Sequence, residues 1–483
     1  MIKYISTKGG IDPVGFDQAV LAGFADDGGL FVPDSIPRIS RDKLVELSHL
    51  SYTDLAFELT SLFIDSALIP SKDLNALIKK SFKTFENPDL MPLVPMKQDK
   101  NILIMELFHG PTLSFKDIAM GFLINVMDYL LAGKNEHLNI VLATTGDTGP
   151  AAAFASAGKS TIDCWPLYPA DMISPEQERQ MTTLHQDNIH PFCVTHCEDG
   201  GDDLDVVVAG LFSKPGIQKS LELSSVNSIN WCRVMFQAVH YAYGYFRASS
   251  QIGEPIDFCV PSGAFGNLFA GFLAKSMGIP IRKFICANNR NQTLHRAIST
   301  GAFVKKDLIQ TVSSAIDIVL PYNFWRFLYF VSGCSAKKTK HWMDEFDKYG
   351  RICIDEKTLA AIASSFDSCS ITDETTLAAI KQTWEDENYL LDPHGAVALA
   401  GARAVNDKTG MSIKTVCLAT AHPAKFPEIL QQALQLDHMD KLPHQAFHST
   451  LTAAAELHQD RTVCNLGQLE KNLISAMQKT SNN

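Results

Sequence analysis

Lys116 is the residue in this sequence best placed to act as a carbonyl-trapping amine. It stands near the end of Glu106-Leu107-Phe108-His109-Gly110-Pro111-Thr112-Leu113-Ser114-Phe115-Lys116-Asp117. An apolar run ends there, Gly110-Pro111 forces a turn, and Lys116 opens the helical stretch IAMGFLINVM. Beside apolar neighbours an ammonium loses solvation, its pKa falls, and the neutral amine forms a Schiff base with a carbonyl. The competing reading is a solvated lysine in the first turn of a helix, and position alone favours it. The other polar loops have to decide.

Thr144-Thr145-Gly146-Asp147-Thr148-Gly149-Pro150 precedes a second helical stretch, AAAFASAG. Its glycines permit close backbone approach, the helix start offers free N–H groups, and three threonine hydroxyls suit a carboxylate. A capping turn with Asp147 or Thr148 as the N-cap explains the same residues, and both readings can hold together. Pro261-Ser262-Gly263-Ala264-Phe265-Gly266-Asn267 again leads from a strand into a helix, with N–H groups spaced to line a phosphate. Its Gly-x-x-Gly is too short for the dinucleotide fingerprint, which argues against a nicotinamide dehydrogenase. In Thr420-Ala421-His422-Pro423-Ala424-Lys425-Phe426, the Thr420 hydroxyl at a strand end can meet a ring nitrogen; a plain strand exit is the bland alternative. In Asn227-Ser228-Ile229-Asn230-Trp231-Cys232-Arg233, spacing of i, i+3 and i+6 would set Asn227, Asn230 and Arg233 near one face of a helix start. Arginine there suits bidentate phosphate binding, against the alternative of a solvated face. Two decoys are set aside. Ala157-Gly158-Lys159-Ser160 lacks the earlier glycine of a P-loop, since Ala153 stands there. Cys193, His196 and Cys197 have no second ligand pair at metal spacing, so no metal is expected.

These loops need a scaffold, and the chain shows one. From about Ser40 to Phe85 apolar residues recur at helical spacing. Short apolar strands at Ile102–Met105, Ile140–Ala143, Phe258–Val260, Lys283–Ala287 and Thr415–Ala419 then alternate with helical stretches, the pattern of an α/β protein with a largely parallel sheet. Ligands of such sheets sit at the carboxyl ends of strands, where the polar loops fall. A chain of 483 residues supports two or three domains, and 46% hydrophobic with 20% charged residues is an ordinary globular balance. The net charge of -11 argues against a nucleic-acid or polybasic membrane surface, so local donors must attract any anionic substrate. MIKYISTKGG lacks the apolar core of a signal peptide, and no apolar stretch is long enough to span a bilayer. With 11 scattered cysteines, mostly in apolar runs, a cytoplasmic protein with reduced thiols is expected.

Taken in order, the segments resemble the threonine synthase family of fold-type II pyridoxal phosphate (PLP) enzymes. The resemblance starts at Asp27-Gly28-Gly29-Leu30-Phe31-Val32-Pro33 and runs through HGPTLSFKD, TTGDTG, NSINWCR and PSGAFGN. It closes with Asp392-Pro393-His394-Gly395-Ala396-Val397 and TAHPAKF. It implies a tryptophan synthase β-like fold: two α/β lobes with the cofactor between them and an N-terminal, mostly helical domain. The expected divisions are 1–95, a PLP-binding catalytic region at 96–440 with a mobile lobe at about 125–225, and a C-terminal tail at 441–483. By resemblance, Lys116 is the Schiff-base lysine, and Gly263, Ala264, Phe265, Gly266 and Asn267 hold the cofactor phosphate. Thr420 meets the pyridine nitrogen. Thr144, Thr145, Asp147 and Thr148 belong to the substrate-carboxylate loop, and Asn227, Ser228 and Arg233 to the substrate-phosphate site. The implied reaction turns O-phospho-L-homoserine and water into L-threonine and phosphate. The expected partner is that small molecule, with neither nucleic acid nor membrane, and the chain is expected as a monomer or homodimer.

Ala264, Asn267 and Thr145 depart from the family's usual Asn, Asp and Ser. Ala264 and Asn267, with Pro321-Tyr322-Asn323, also resemble the vertebrate threonine synthase-like proteins, a resemblance that implies phospho-lyase chemistry giving 2-oxobutyrate and ammonia. A phospho-lyase therefore stays open beside the synthase. So does a PLP-fold protein that binds without turnover, although retention of Lys116, Thr420 and Arg233 together argues against it.

Overall fold

Short apolar segments assemble into two parallel-rich sheets in the computed structural model, which describes residues 2–410 and 413–480. In chain order the strands are β1 (Leu93–Pro95), β2 (Ile102–Glu106), β3 (Leu138–Ala143), β4 (Ile162–Pro169), β5 (Phe192–Thr195), β6 (Leu223–Ser224), β7 (Ile256–Pro261), β8 (Ile281–Asn288), β9 (Phe366–Ser370), β10 (Lys414–Ala419) and β11 (Thr462–Asn465). The larger sheet runs β9-β8-β7-β10-β2-β1, parallel except for the antiparallel edge strand β1. The smaller runs β11-β5-β4-β3-β6 and is parallel throughout. Every residue of β7 is buried, as expected of a parallel strand covered on both faces. All five strand cores expected from the sequence lie inside observed strands.

The helices that matter to the site are α1 (Ser71–Phe82), α2 (Lys116–Ala132), α3 (Thr148–Ser156), α4 (Pro175–Thr182), α5 (Gly201–Phe212), α6 (Trp231–Ala248), α7 (Gly266–Met277), α8 (Tyr322–Val331), α9 (Pro393–Thr409) and α10 (Leu469–Thr480). The helical spacing between Ser40 and Phe85 resolves into Arg41–Leu47, Tyr52–Thr60 and α1. Tyr52–Thr60, α2 and α7 pack against α6, which is buried along almost its whole length. Phe236 of α6 stacks 4.2 Å from Phe122 of α2, while Tyr241 lies 5.2 Å from Phe258 of β7. The α/β architecture thus has a central helix that touches both the sheet and the N-terminal helices.

Four strand-to-loop exits carry the polar residues: β2 into α2, β3 into α3, β7 into α7, and β10 into the Thr420 loop. The chain then returns to the smaller sheet. β11 pairs in parallel with β5, from Thr462 opposite Phe192 to Asn465 opposite Thr195. Leu469, Leu473 and Met477 of α10 share one apolar cluster with Leu204, Val208 and Leu211 of α5. Among the described residues, no helix is long and apolar enough to cross a membrane.

Candidate active site

Adjacent, in-register strands bring Lys116 and Thr420 together. β2 and β10 pair from Ile102 opposite Thr415 to Glu106 opposite Ala419, so their exits are neighbours. The Phe115 N–H donates to the Thr420 carbonyl at 2.9 Å, which pins Thr420 beside the residue preceding Lys116. Lys116 is half-buried, its Nζ 4.4 Å from the centre of the Phe115 ring. Burial, followed by the charge of Arg233, brings its amine down to about 7, with Asp147 opposing that shift and Lys425 adding to it. Near neutral pH much of that amine is uncharged.

In the second loop, Thr144 Oγ1 accepts from the N–H groups of Gly146 at 3.1 Å and Gly149 at 3.0 Å. Asp147 holds the expected N-cap position of α3 but makes no side-chain capping bond, and Thr144 supplies it. Asp147 instead makes an ion pair with Lys425 Nζ at 2.7 Å, the two side chains 4% and 0% exposed. Gln177 Nε2 donates to Asp147 at 2.9 Å, and Lys425 Nζ donates to the Thr112 carbonyl at 2.9 Å. Burial alone would raise the Asp147 carboxyl, but Lys425, His394 and Gln177 hold it below its usual value. Thr144, Thr145 and Thr148 line a cavity of about 110 Å³ with Lys116, whereas Asp147 does not.

The third loop is shaped for an anion. A Cβ on Gly263 would stand 2.9 Å from Ile316 Cα and from its carbonyl oxygen, so only glycine admits the segment at 313–318. Phe265 adopts a left-handed backbone at φ 64°, held by its ring packing against Phe324 at 5.3 Å and Phe327 at 5.2 Å. Asn267 Oδ1 accepts from His240 Nε2 and from the Tyr241 hydroxyl, each at 2.9 Å. Its Nδ2 is buried without a partner among the described residues. An orphaned donor in the first turn of α7, beside a tight glycine loop, fits a phosphate group. Gly266 admits Ser228, whose Cβ would lie 3.1 Å from a substituent there, and Asn323 Nδ2 donates to Ser228 Oγ at 3.0 Å. Ala264, Asn227 and Ser228 line the same cavity as Lys116.

The expected common face of Asn227, Asn230 and Arg233 is not formed. The helix begins at Trp231 because Asn230 is its N-cap: its Oδ1 accepts from the Cys232 N–H at 3.1 Å. Asn227 therefore lies before the helix. Arg233 is 1% exposed; its Nη1 donates to the Val226 carbonyl at 2.9 Å, while Nε and Nη2 have no partner among the described residues. Burial lowers that guanidinium to about 10. Two unpartnered guanidinium nitrogens suit an oxyanion.

Other residues at the site have no assigned role in the sequence reading. Asp202 and Asp205 of α5 line the cavity; their GDDLD segment looks like any acidic helix start. His394 is buried, Nδ1 donating to Asp392 at 2.7 Å and Nε2 accepting from the N–H of Ala315, a cavity residue, at 3.1 Å. His394 and Lys425 stand in segments legible as motifs, but their partners come from loops distant in sequence.

Three family profiles match the chain: "Threonine synthase N terminus" over residues 3–82, "Pyridoxal-phosphate dependent enzyme" over 90–421, and "Threonine synthase, C-terminal" over 395–465. The chain is 36% identical over 464 residues to threonine synthase of Schizosaccharomyces pombe, covering 90% of this chain and 89% of that one. It is 38% identical over 434 residues to threonine synthase-like 2 of Xenopus laevis, covering 89% and 90%. The crystal structure of PLP-bound threonine synthase from Brucella melitensis matches with a TM-score of 0.90 at 36% identity, covering 100% of both chains.

Proposed function

Because the chain belongs to the threonine synthase family of PLP-dependent enzymes, we propose that it converts O-phospho-L-homoserine and water into L-threonine and phosphate. The observation that carries this reading is one cavity lined by the Lys116 amine, the hydroxyls of Thr144, Thr145 and Thr148, and the side chains of Asn227 and Ser228. An amine between two sets of anion donors suits an amino acid with a carboxylate at one end and a phosphate at the other.

When bound, PLP supplies an electron sink for charge developing on the substrate's α and β carbons. Lys116 would hold it covalently, Gly263 to Asn267 would hold its phosphate, and the Thr420 hydroxyl would partner its ring nitrogen. A hydroxyl partner, unlike a carboxylate, would favour the unprotonated form of that nitrogen. The Lys116 amine, when free, is the group that would move protons at Cα and then at Cβ of the substrate. The three threonines grip the carboxylate. Asn227, Ser228 and Arg233 receive the phosphate leaving Cγ, and they accelerate its departure to the extent that they bind its growing charge more tightly than the ground state. Water then adds at Cβ.

A phospho-lyase reading is supported by the 38% identity to threonine synthase-like 2 of Xenopus laevis. It shares every step through phosphate loss. Incubation with O-phospho-L-homoserine separates the two. Equal phosphate and threonine support the synthase; phosphate with 2-oxobutyrate and ammonia supports the lyase; no phosphate overturns both. Lys116→Ala should slow phosphate release by about 10²–10⁴-fold, the range for loss of a positioned acid–base group.

A further inference from the structure

Two carboxyl groups stand in the wall of a cavity that, on the function proposed above, has to accept a phosphate. Asp202 and Asp205 lie three residues apart on α5, so they share a face, and both line the cavity with Lys116, Asn227 and Ser228. Asn227 Nδ2 donates to Asp205 Oδ1 at 3.2 Å, which orients that carboxyl and leaves its Oδ2 without a protein partner among the described residues. Asp202 is 8% exposed, and its Oδ2 accepts from the Val319 N–H at 3.4 Å. No ion pair among the described residues engages either carboxyl group. Ionised together, they would repel each other and any phosphate dianion beside them.

We propose that Asp205 is a specificity-determining residue of the phosphate subsite: it keeps its proton, donates from Oδ2 to a phosphate oxygen, and makes anion binding conditional on that proton. This rests on the function proposed above and adds to it a group that would otherwise oppose the substrate. A carboxylic acid is a hydrogen-bond donor, whereas a carboxylate only accepts. Like charges sharing one site push one proton onto the pair.

The surroundings agree with this assignment. Asp205 is half-buried in the cavity wall; desolvation there, then the neighbouring Asp202 charge, pushes it up to about 8, and burial pushes Asp202 up to about 6. On the α5 side, Asp199 and Asp203 raise Asp202 further. The segment joining β8 to α8 contributes Lys305, which opposes that rise, and α8 contributes the Tyr322 phenol, itself pushed up by burial. Lys116 lines the same cavity. The segment before α6 presents only uncharged residues, Asn227, Ser228 and Ile229, to the cavity.

The sign follows directly. Below about 8 the acid is protonated and donates; above it a carboxylate faces the anion, and binding must take up a proton. Sulfate is a suitable probe because it stays a dianion throughout this range. Its affinity for the PLP-loaded enzyme, measured by calorimetry, should hold steady near pH 7 and fall roughly tenfold per pH unit above about 8, as one-proton linkage requires. The heat above pH 8 should also vary with the buffer's ionisation enthalpy. Asp205→Asn should abolish both effects, and Asp202→Asn should move the break to lower pH by removing the charge that raises Asp205. Retention of the cofactor's visible absorbance verifies that each variant is folded. A pH-independent wild-type affinity, an unchanged slope in Asp205→Asn, or no sulfate binding at pH 6.5 overturns the proposal. Phosphate release from O-phospho-L-homoserine by the same preparation reports separately on the function: its absence refutes that reading whatever sulfate does.

Discussion

At Lys116, desolvation sets a protonation state suited to the proposed chemistry. With its amine at about 7 in place of 10.5, the neutral fraction of the cofactor-free protein climbs through neutral pH and then levels off. Reaction with added PLP, followed by absorbance, should therefore quicken about tenfold from pH 6 to pH 8, with a plateau beyond; a rate still climbing at pH 10 would mean an ordinary lysine. The same shift acts on stability. Between about 7 and 10.5 the unfolded chain holds a proton that the native chain lacks, so this group's contribution is complete above that window and is lost as pH falls through it. Lys425 makes a different point. Lys425→Met would leave the buried Asp147 carboxylate without its cation, which typically destabilises by about 3–5 kcal/mol. Urea denaturation should show that loss, and adding Asp147→Asn should restore much of it; an unaltered midpoint in the single variant would exclude a stabilising pair. The Lys116 and threonine loops were legible because their residues stand together in the chain. The partner of Asp147 was not, since Lys425 reaches it only through the adjacency of two loops.

The strand-to-helix exits act as rigid brackets, and their tolerances are small. Gly263→Ala would place a methyl group 2.9 Å from the Ile316 backbone. Backbone cannot rotate aside, so the segment at 313–318 must shift and loosen the bond from Ala315 to His394. Overpacking of this kind costs about 1–3 kcal/mol. If half of that loss falls on the loop proposed to hold the cofactor phosphate, PLP should dissociate at roughly two- to tenfold higher concentration in an absorbance titration, since about 1.4 kcal/mol is tenfold. Unchanged cofactor affinity would show that the two segments move independently. The strands and the Gly-containing exits were readable because apolar runs and glycines are local signals. The start of α6 was misjudged for an equally local reason: Asn227 and Asn230 look alike in sequence, and only the capping bond to Cys232 separates the residue that ends the loop from the one that lines the cavity.

On the scale of the whole molecule, the described C-terminal segment packs against the helix that carries the proposed anion subsite. The return of β11 to β5 and of α10 to α5 was beyond local pattern, because parallel pairing between distant segments leaves no signature in either segment alone. Its consequence is that the helix carrying Asp202 and Asp205 is packed by the last helix of the chain. Leu473 is fully buried and belongs to the cluster that joins α10 to Leu204, Val208 and Leu211 of α5. Strand β11 anchors α10 through its register with β5, and the carbonyl of Ala455 accepts from Arg179 of α4 at 2.7 Å, so the returning segment is held at several points. Leu473→Ala would remove one buried side chain from that joint. The expected loss is about 2–5 kcal/mol for a large-to-small change in a close-packed core. It should appear in urea unfolding of the PLP-loaded protein as a transition moved to lower denaturant. The same variant should weaken sulfate binding while leaving the Lys116-linked absorbance in place, because α10 supports the wall of the anion subsite and not the β2 and β10 exits that hold Lys116 and Thr420. Equal loss of sulfate binding and cofactor absorbance would instead mean that the smaller sheet and the cofactor loops unfold as one unit.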